Sequence, residues 1–146
     1  MRRLFLDDDP LRAEAFLREH PGTVWVTNVA DCLARLEETW DEVHLDHDLN
    51  GEMYVDISRD DCGMEIVRRL INPPRKHLAS TRFYIHSHNA SAAYMMMLQL
   101  KSFGYRAVLA PFGAPRKSDS RTGSSRPGWL GMLGRLFGRG DSSTRR

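Results

Sequence analysis

Short apolar runs alternate with helix-period runs five times before residue 111, and that alternation constrains the fold more than any other feature. Arg3-Leu4-Phe5-Leu6 reads as a buried strand stopped by Asp7-Asp8-Asp9-Pro10. Pro10 suits the first turn of a helix, and an Asp before it can cap that turn's free N–H groups. Leu11, Ala15 and Phe16 follow helical spacing up to His20-Pro21-Gly22. Residues 23–27 are β-branched and aromatic, a second strand. Asn28 or Asp31 then opens a helix with Ala30, Leu33, Ala34, Leu36 and Trp40 on its apolar face. Residues 42–46 form a third strand, followed by a polar loop over 50–61. Gly63 leads into Met64, Ile66, Val67, Leu70 and Ile71, the i, i+3, i+4, i+7 pattern of a packed helix. A fourth strand over 82–86, a helix over 90–102 that stops before Gly104, and a fifth strand over 107–110 complete the pattern.

Such a series calls for a parallel sheet with helices on both faces and right-handed crossovers. Ligands of these sheets sit beyond the carboxyl ends of the strands, beside the topological switch point. Three polar clusters fall there: Asp7-Asp8-Asp9 after strand one, Asp46-His47-Asp48 after strand three and His86-Ser87-His88-Asn89 after strand four. A shared site at one sheet edge is the expectation.

Charge divides the chain. Residues 1–112 carry 13 Lys and Arg against 17 Asp and Glu, and residues 113–146 carry 8 against 2, so an acidic domain precedes a basic tail. The tail is rich in Gly, Ser and Arg and reads as disordered. Within 128–138, Trp129, Leu130, Met132, Leu133, Leu136 and Phe137 share a helical face that Gly131, Gly134 and Gly138 interrupt. Each glycine costs about 1 kcal/mol of helix stability relative to alanine. An anionic membrane surface or a protein groove could order this stretch. The two cysteines, Cys32 and Cys62, have neither metal-site nor disulfide-framework spacing. No apolar run approaches the roughly 18–20 residues of a membrane span. Three leading apolar residues are too few for a signal-peptide core, and a cytoplasmic location is expected.

Carboxylates from Asp7, Asp8 and Asp46 at adjacent strand ends would crowd negative charge unless a cation joined them, and Mg²⁺ prefers such oxygen ligands. The alternative is one helix cap and solvated neighbours. Two histidines across a substrate can serve as general base and acid near neutral pH. His47 and His86 are the candidates, with Asp48 orienting an imidazole and Ser87, His88 and Asn89 holding phosphoryl oxygens. No GxSxG, GxxxxGK[ST] or GxGxxG motif is present, which disfavours a serine-hydrolase elbow, a P-loop NTPase and a nicotinamide-dependent enzyme.

The stretches 4–10, 41–46 and 63–70 resemble the receiver domain of response regulators. That likeness implies a flavodoxin-like three-layer sandwich over 1–112 with strand order 2-1-3-4-5. It makes Asp7 and Asp8 metal-binding acids, Asp46 a phosphoacceptor and Ser87 the hydroxyl after strand four. Ala110-Pro111-Phe112 stands where a Lys-Pro-Phe turn is expected, so the lysine that senses a phosphoryl group is absent. Asp46-His47-Asp48-Leu49 and His86-Ser87-His88-Asn89 together resemble the cyclic-phosphate-processing receiver family more closely. Asn50 and Ala90 depart from its pattern. The resemblance implies hydrolysis of cyclic phosphates, on RNA ends or nucleotide derivatives. An atypical receiver and a non-enzymatic signalling adaptor are the rival expectations.

Overall fold

The computed structural model describes residues 1–112 and contains five parallel strands in the order β2-β1-β3-β4-β5. The elements run β1 (Arg3–Leu6), α1 (Pro10–Glu19), β2 (Val24–Val26), α2 (Val29–Arg35), β3 (Glu42–Leu45), α3 (Gly63–Ile71), β4 (Arg82–Ile85), α4 (Ala90–Ser102) and β5 (Arg106–Leu109). The succession of elements is the one expected from the alternation, and the strand order is the one the receiver resemblance implies. The tail over 113–146, including its helix expected at 128–138, lies outside the described residues.

Side chains alternate across the sheet and divide the core in two. Leu4, Leu6, Val43, Leu45, Phe83, Ile85 and Ala107 join the larger core with residues of α2, α3 and α4. Phe5 faces the other way, against Ala13 and Phe16 of α1, and its ring stacks on Phe16 at 4.3 Å. Helices on opposite faces of one sheet give three layers. Each fully buried Leu, Ile or Phe contributes about 1.5–3 kcal/mol relative to an exposed one.

The caps explain where helices start. Asp9 accepts from the N–H groups of Leu11 and Arg12, and Pro10 takes the first helical position. Asn28, not Asp31, caps α2. That helix stops at Arg35, so Trp40 is not on its face; it is buried beyond the helix with Nε1 donating to Arg35 O at 2.8 Å. A 3₁₀ turn at Lys76–Leu78, which no periodicity announced, precedes β4. His44 is buried, its ring 4.6 Å from that of Tyr84 and 4.7 Å from that of Phe16. No described helix is long and apolar enough to cross a membrane.

Candidate functional site

Strand register builds the site. Leu6 pairs with Leu45, Leu45 with Ile85, and Ile85 with Leu109. The ladder continues one residue further: Asp46 N donates to Leu6 O, His86 N to Leu45 O and Ala110 N to Ile85 O, at 3.0, 3.0 and 2.8 Å. Asp7, Asp46, His86 and Ala110 therefore form a row across the carboxyl edge. By alternation the first three share the α1 face with Phe5. Oxygens of Asp7 and Asp46 and a ring nitrogen of His86 lie within 4.8 Å of one another, all on buried residues.

Arg12 of α1 closes this group. Its Nε and Nη2 donate to both oxygens of Asp7, at 2.9 and 2.7 Å, and Nη2 also donates to Asp46 Oδ2 at 2.8 Å. His86 Nε2 lies 3.2 Å from Asp7 Oδ2. A carboxylate only accepts, so that contact puts the proton on Nε2 and leaves the lone pair on Nδ1. Nδ1 is buried and has no hydrogen-bond partner. An orphaned buried polar atom costs about 1–3 kcal/mol, so stability alone does not explain it. The His86 ring is stacked on Phe5 at 5.0 Å and met edge-on by Phe112 at 4.7 Å.

The two carboxyls are pushed in opposite directions. For Asp7, burial acts to raise the pKa, but hydrogen bonds from His86, Arg12 and the Asp9 N–H outweigh it and hold the group below its ordinary value. For Asp46, burial raises the pKa and is only partly offset by His86, while the Asp7 charge adds to the rise; a Ser87 hydrogen bond and Arg12 act to lower it.

Other residues singled out in the sequence are placed elsewhere. Asp8 turns toward the loop after β3 and accepts from Gly51 N at 2.5 Å, and His86 stands in the cluster where a third acid was expected. His47 is fully buried on the opposite sheet face, its Nε2 3.0 Å from Val55 O, beside Cys62. Burial acts to lower the His47 pKa, but Cys62, Val55 O and Asp48 raise it above the ordinary value. Burial likewise opposes the Cys62 thiolate, yet His47 and the N–H groups of Met64 and Glu65 bring the thiol below its usual range. Asp48 braces the loop: it accepts from the N–H groups of Tyr54 and Val55 at 2.7 and 3.1 Å and from Asn89 Nδ2 at 3.3 Å. Its nearest approach to His47 is 3.8 Å, too long for a hydrogen bond. Asn89 caps α4 through Ala92 N. Ser87 is buried beside Asp46 and accepts from Asn89 N at 3.2 Å, whereas His88 is exposed.

Sequence reasoning missed Arg12 and Cys62. A signal for Arg12 existed: it lies four residues after Asp8 and three after Asp9, within ion-pair reach of both. Two concavities among the described residues lie elsewhere, one around Trp40, Glu42 and Arg82, the other between Trp25 and Arg35. The cluster is roofed by Arg12 and Phe112, so a ligand must approach past that rim.

The sheet order and the acid-lined carboxyl edge define a receiver-type α/β domain. Comparison with known proteins narrows this. The family described as "Cyclic-phosphate processing Receiver domain" matches residues 2–102, and the chain belongs to it. Among solved structures it is similar to a Burkholderia pseudomallei response regulator determined with a phosphorylated aspartic acid, calcium ion and citrate. The identity is 17% over 75% of this chain and 58% of that one, with a TM-score of 0.53. It is also similar to the receiver domain of Francisella response regulator 1452, at 19% identity over 76% of this chain and 84% of that one, with a TM-score of 0.51. The chain spans a little over half of the Burkholderia protein. At such identities the likeness carries the fold alone. No curated protein matches the chain.

Proposed function

We propose that the domain is a phosphoesterase that opens cyclic phosphodiesters by attack of water, with His86 moving the proton. One observation carries this reading: a buried imidazole whose Nε2 is held by Asp7 and whose Nδ1 is unpartnered, beside Asp46. In the proposed step the water oxygen bonds to phosphorus while one ring ester P–O bond breaks. The water's proton passes to His86 Nδ1, and the imidazolium so formed returns a proton to the departing alkoxide. The product is a phosphomonoester, and His86 ends as it began. Ionised Asp7 stabilises the imidazolium that forms, the role an acid plays behind a catalytic histidine. Ser87 and Arg12 hold phosphoryl oxygens. His47, Asp48 and Asn89 serve by fixing the loop over 50–61 and the start of α4. The family match supports cyclic phosphates on nucleotides or RNA ends as the substrate class.

A divalent metal was expected between Asp7, Asp8 and Asp46, and the residues as arranged do not fit one. Asp46 Oδ1 accepts from the N–H groups of His47 and Asp48 at 2.6 and 3.3 Å, and Oδ2 accepts from Arg12. Both oxygens of Asp7 are taken by Arg12, Asp9 N and His86.

The test is to incubate the full chain with nucleoside 2′,3′-cyclic phosphates and with RNA ending in one, and to separate the products. Conversion to a nucleoside monophosphate supports the reading; no conversion of any of them refutes it. A second reading, a receiver storing a phosphoryl group on Asp46, has that residue's position at the end of β3 in its favour. Ala110 and the committed Asp46 oxygens oppose it. Labelling by a small phosphodonor, lost in Asp46→Asn, would favour it.

A further inference from the structure

We propose that Arg12 is the resident cation of this site, standing in for a divalent ion between Asp7 and Asp46 and offering Nη1 to a phosphoryl oxygen. Among the described ion pairs, Arg12 is the partner of four acids: it is within hydrogen-bond distance of Asp7 and Asp46, 3.8 Å from Asp8 and 3.5 Å from Asp9. Nε and Nη2 are used on Asp7 and Asp46, whereas Nη1 makes no described hydrogen bond and has only the longer, 3.5 Å ion pair with Asp9 Oδ2. A guanidinium presents its donors in a planar fork, so one edge can hold the buried carboxylates while the N–H groups of Nη1, beside the half-exposed Asp9, can meet an anion. The side chain is a quarter exposed, and the Phe112 ring lies 5.7 Å from its Cζ. His86 Nδ1, in the same cluster, is buried and lacks a hydrogen-bond partner.

Charge makes the assignment specific. A cation bound between the carboxylates must displace Arg12 from oxygens it already satisfies or sit against its like charge. Arg12 therefore excludes the divalent ion whose task it takes. Its positive charge also offsets the acids that would repel an anionic substrate.

The second half of this inference, the contact with a phosphoryl oxygen, rests on the phosphoesterase reading; the exclusion of metal does not. Mn²⁺ titration of the full chain, followed by electron paramagnetic resonance, tests the exclusion without any activity. Wild type should show no site titrating in the range that Arg12→Ala acquires, the variant binding at least tenfold tighter. If Arg12→Ala folds poorly, its midpoint of unfolding should rise with Mg²⁺ while that of wild type does not move. Arg12→Lys, with charge but no fork, should still exclude Mn²⁺ yet bind a cyclic nucleotide at least tenfold more weakly than wild type. Wild-type Mn²⁺ binding that Asp46→Asn abolishes and Arg12→Ala leaves unchanged would overturn the exclusion. Unaltered nucleotide affinity in Arg12→Lys would overturn the phosphoryl contact. Absence of turnover with the Mn²⁺ result intact would count against the phosphoesterase alone.

Discussion

Replacing Gly63 with alanine joins fold to site most directly. Gly63 begins α3 where the helix start touches the backbone carrying Asp46 and His47. A Cβ there would stand 2.1 Å from Asp46 O, 2.8 Å from His47 Cα and 3.0 Å from Asp46 C. All three are backbone atoms, so no side chain can swing aside. Since carbon contacts are most favourable at about 3.5–4.0 Å, the helix start must retreat by roughly 1 Å or more. Retreat lengthens the 2.9 Å bond from Gly63 N to His47 O. Its loss costs about 1 kcal/mol, and overpacking costs about 1–3 kcal/mol. Alanine offsets about 0.5–1 kcal/mol by restricting the unfolded chain. A net loss of about 2 kcal/mol lowers the melting midpoint by about 8 °C for a domain of this size. Urea and thermal unfolding of the full chain provide the measurement. Gly22→Ala is the control: its φ is +83° with nothing within 4 Å, so strain alone acts there and the site is untouched. A Gly63→Ala protein within 0.5 kcal/mol of wild type, on the order of ordinary surface scatter, would refute the packing argument.

Three other outcomes follow from the site. Asp7→Asn should cost about 3–5 kcal/mol at neutral pH by leaving Arg12 and His86 short of a partner. Because the folded-state pKa of Asp7 lies below 3.8, its stabilisation is fully present above that value and is lost as pH falls through the depressed one. The gap between wild type and variant in urea unfolding should therefore narrow on acidification below pH 3.8; a widening gap contradicts the assignment. The imidazole of His47 should titrate above 6.5 by NMR and fall in Cys62→Ala, and an unchanged midpoint would exclude the pairing. Asn89→Ala should lose about 1 kcal/mol as an N-cap does, with affinity for cyclic nucleotide nearly unchanged. A loss of affinity without a loss of stability would make Asn89 a phosphate ligand instead.

Much of the fold was legible because its signals are local. Strand–helix alternation, Pro10 after an acid and Gly104 after α4 each act within a few residues, and the elements fall where these place them. The location of the site followed from topology, since parallel strands bring their carboxyl ends to one edge. Composition of the site was harder to read. Neighbours in the motif Asp46-His47 face opposite sides of the sheet, so sequence adjacency overstated their partnership. Asn89 and Asp48 carry the groups that bind phosphate in other settings, but here a helix end and a loop claim them. Arg12 looked like one more surface charge on an amphipathic helix. Only the packing of Phe16 on Phe5 turns α1 so that its first turn overhangs the acids.

Phosphorus NMR of the full chain with a nucleoside 2′,3′-cyclic phosphate tests the central claim most directly. The cyclic phosphodiester resonance should be replaced by that of a phosphomonoester in the presence of wild type. His86→Ala should slow that conversion by about 10²-fold or more, the usual contribution of a positioned acid–base group. Conversion by His86→Ala at the wild-type rate, or none by wild type, would contradict it.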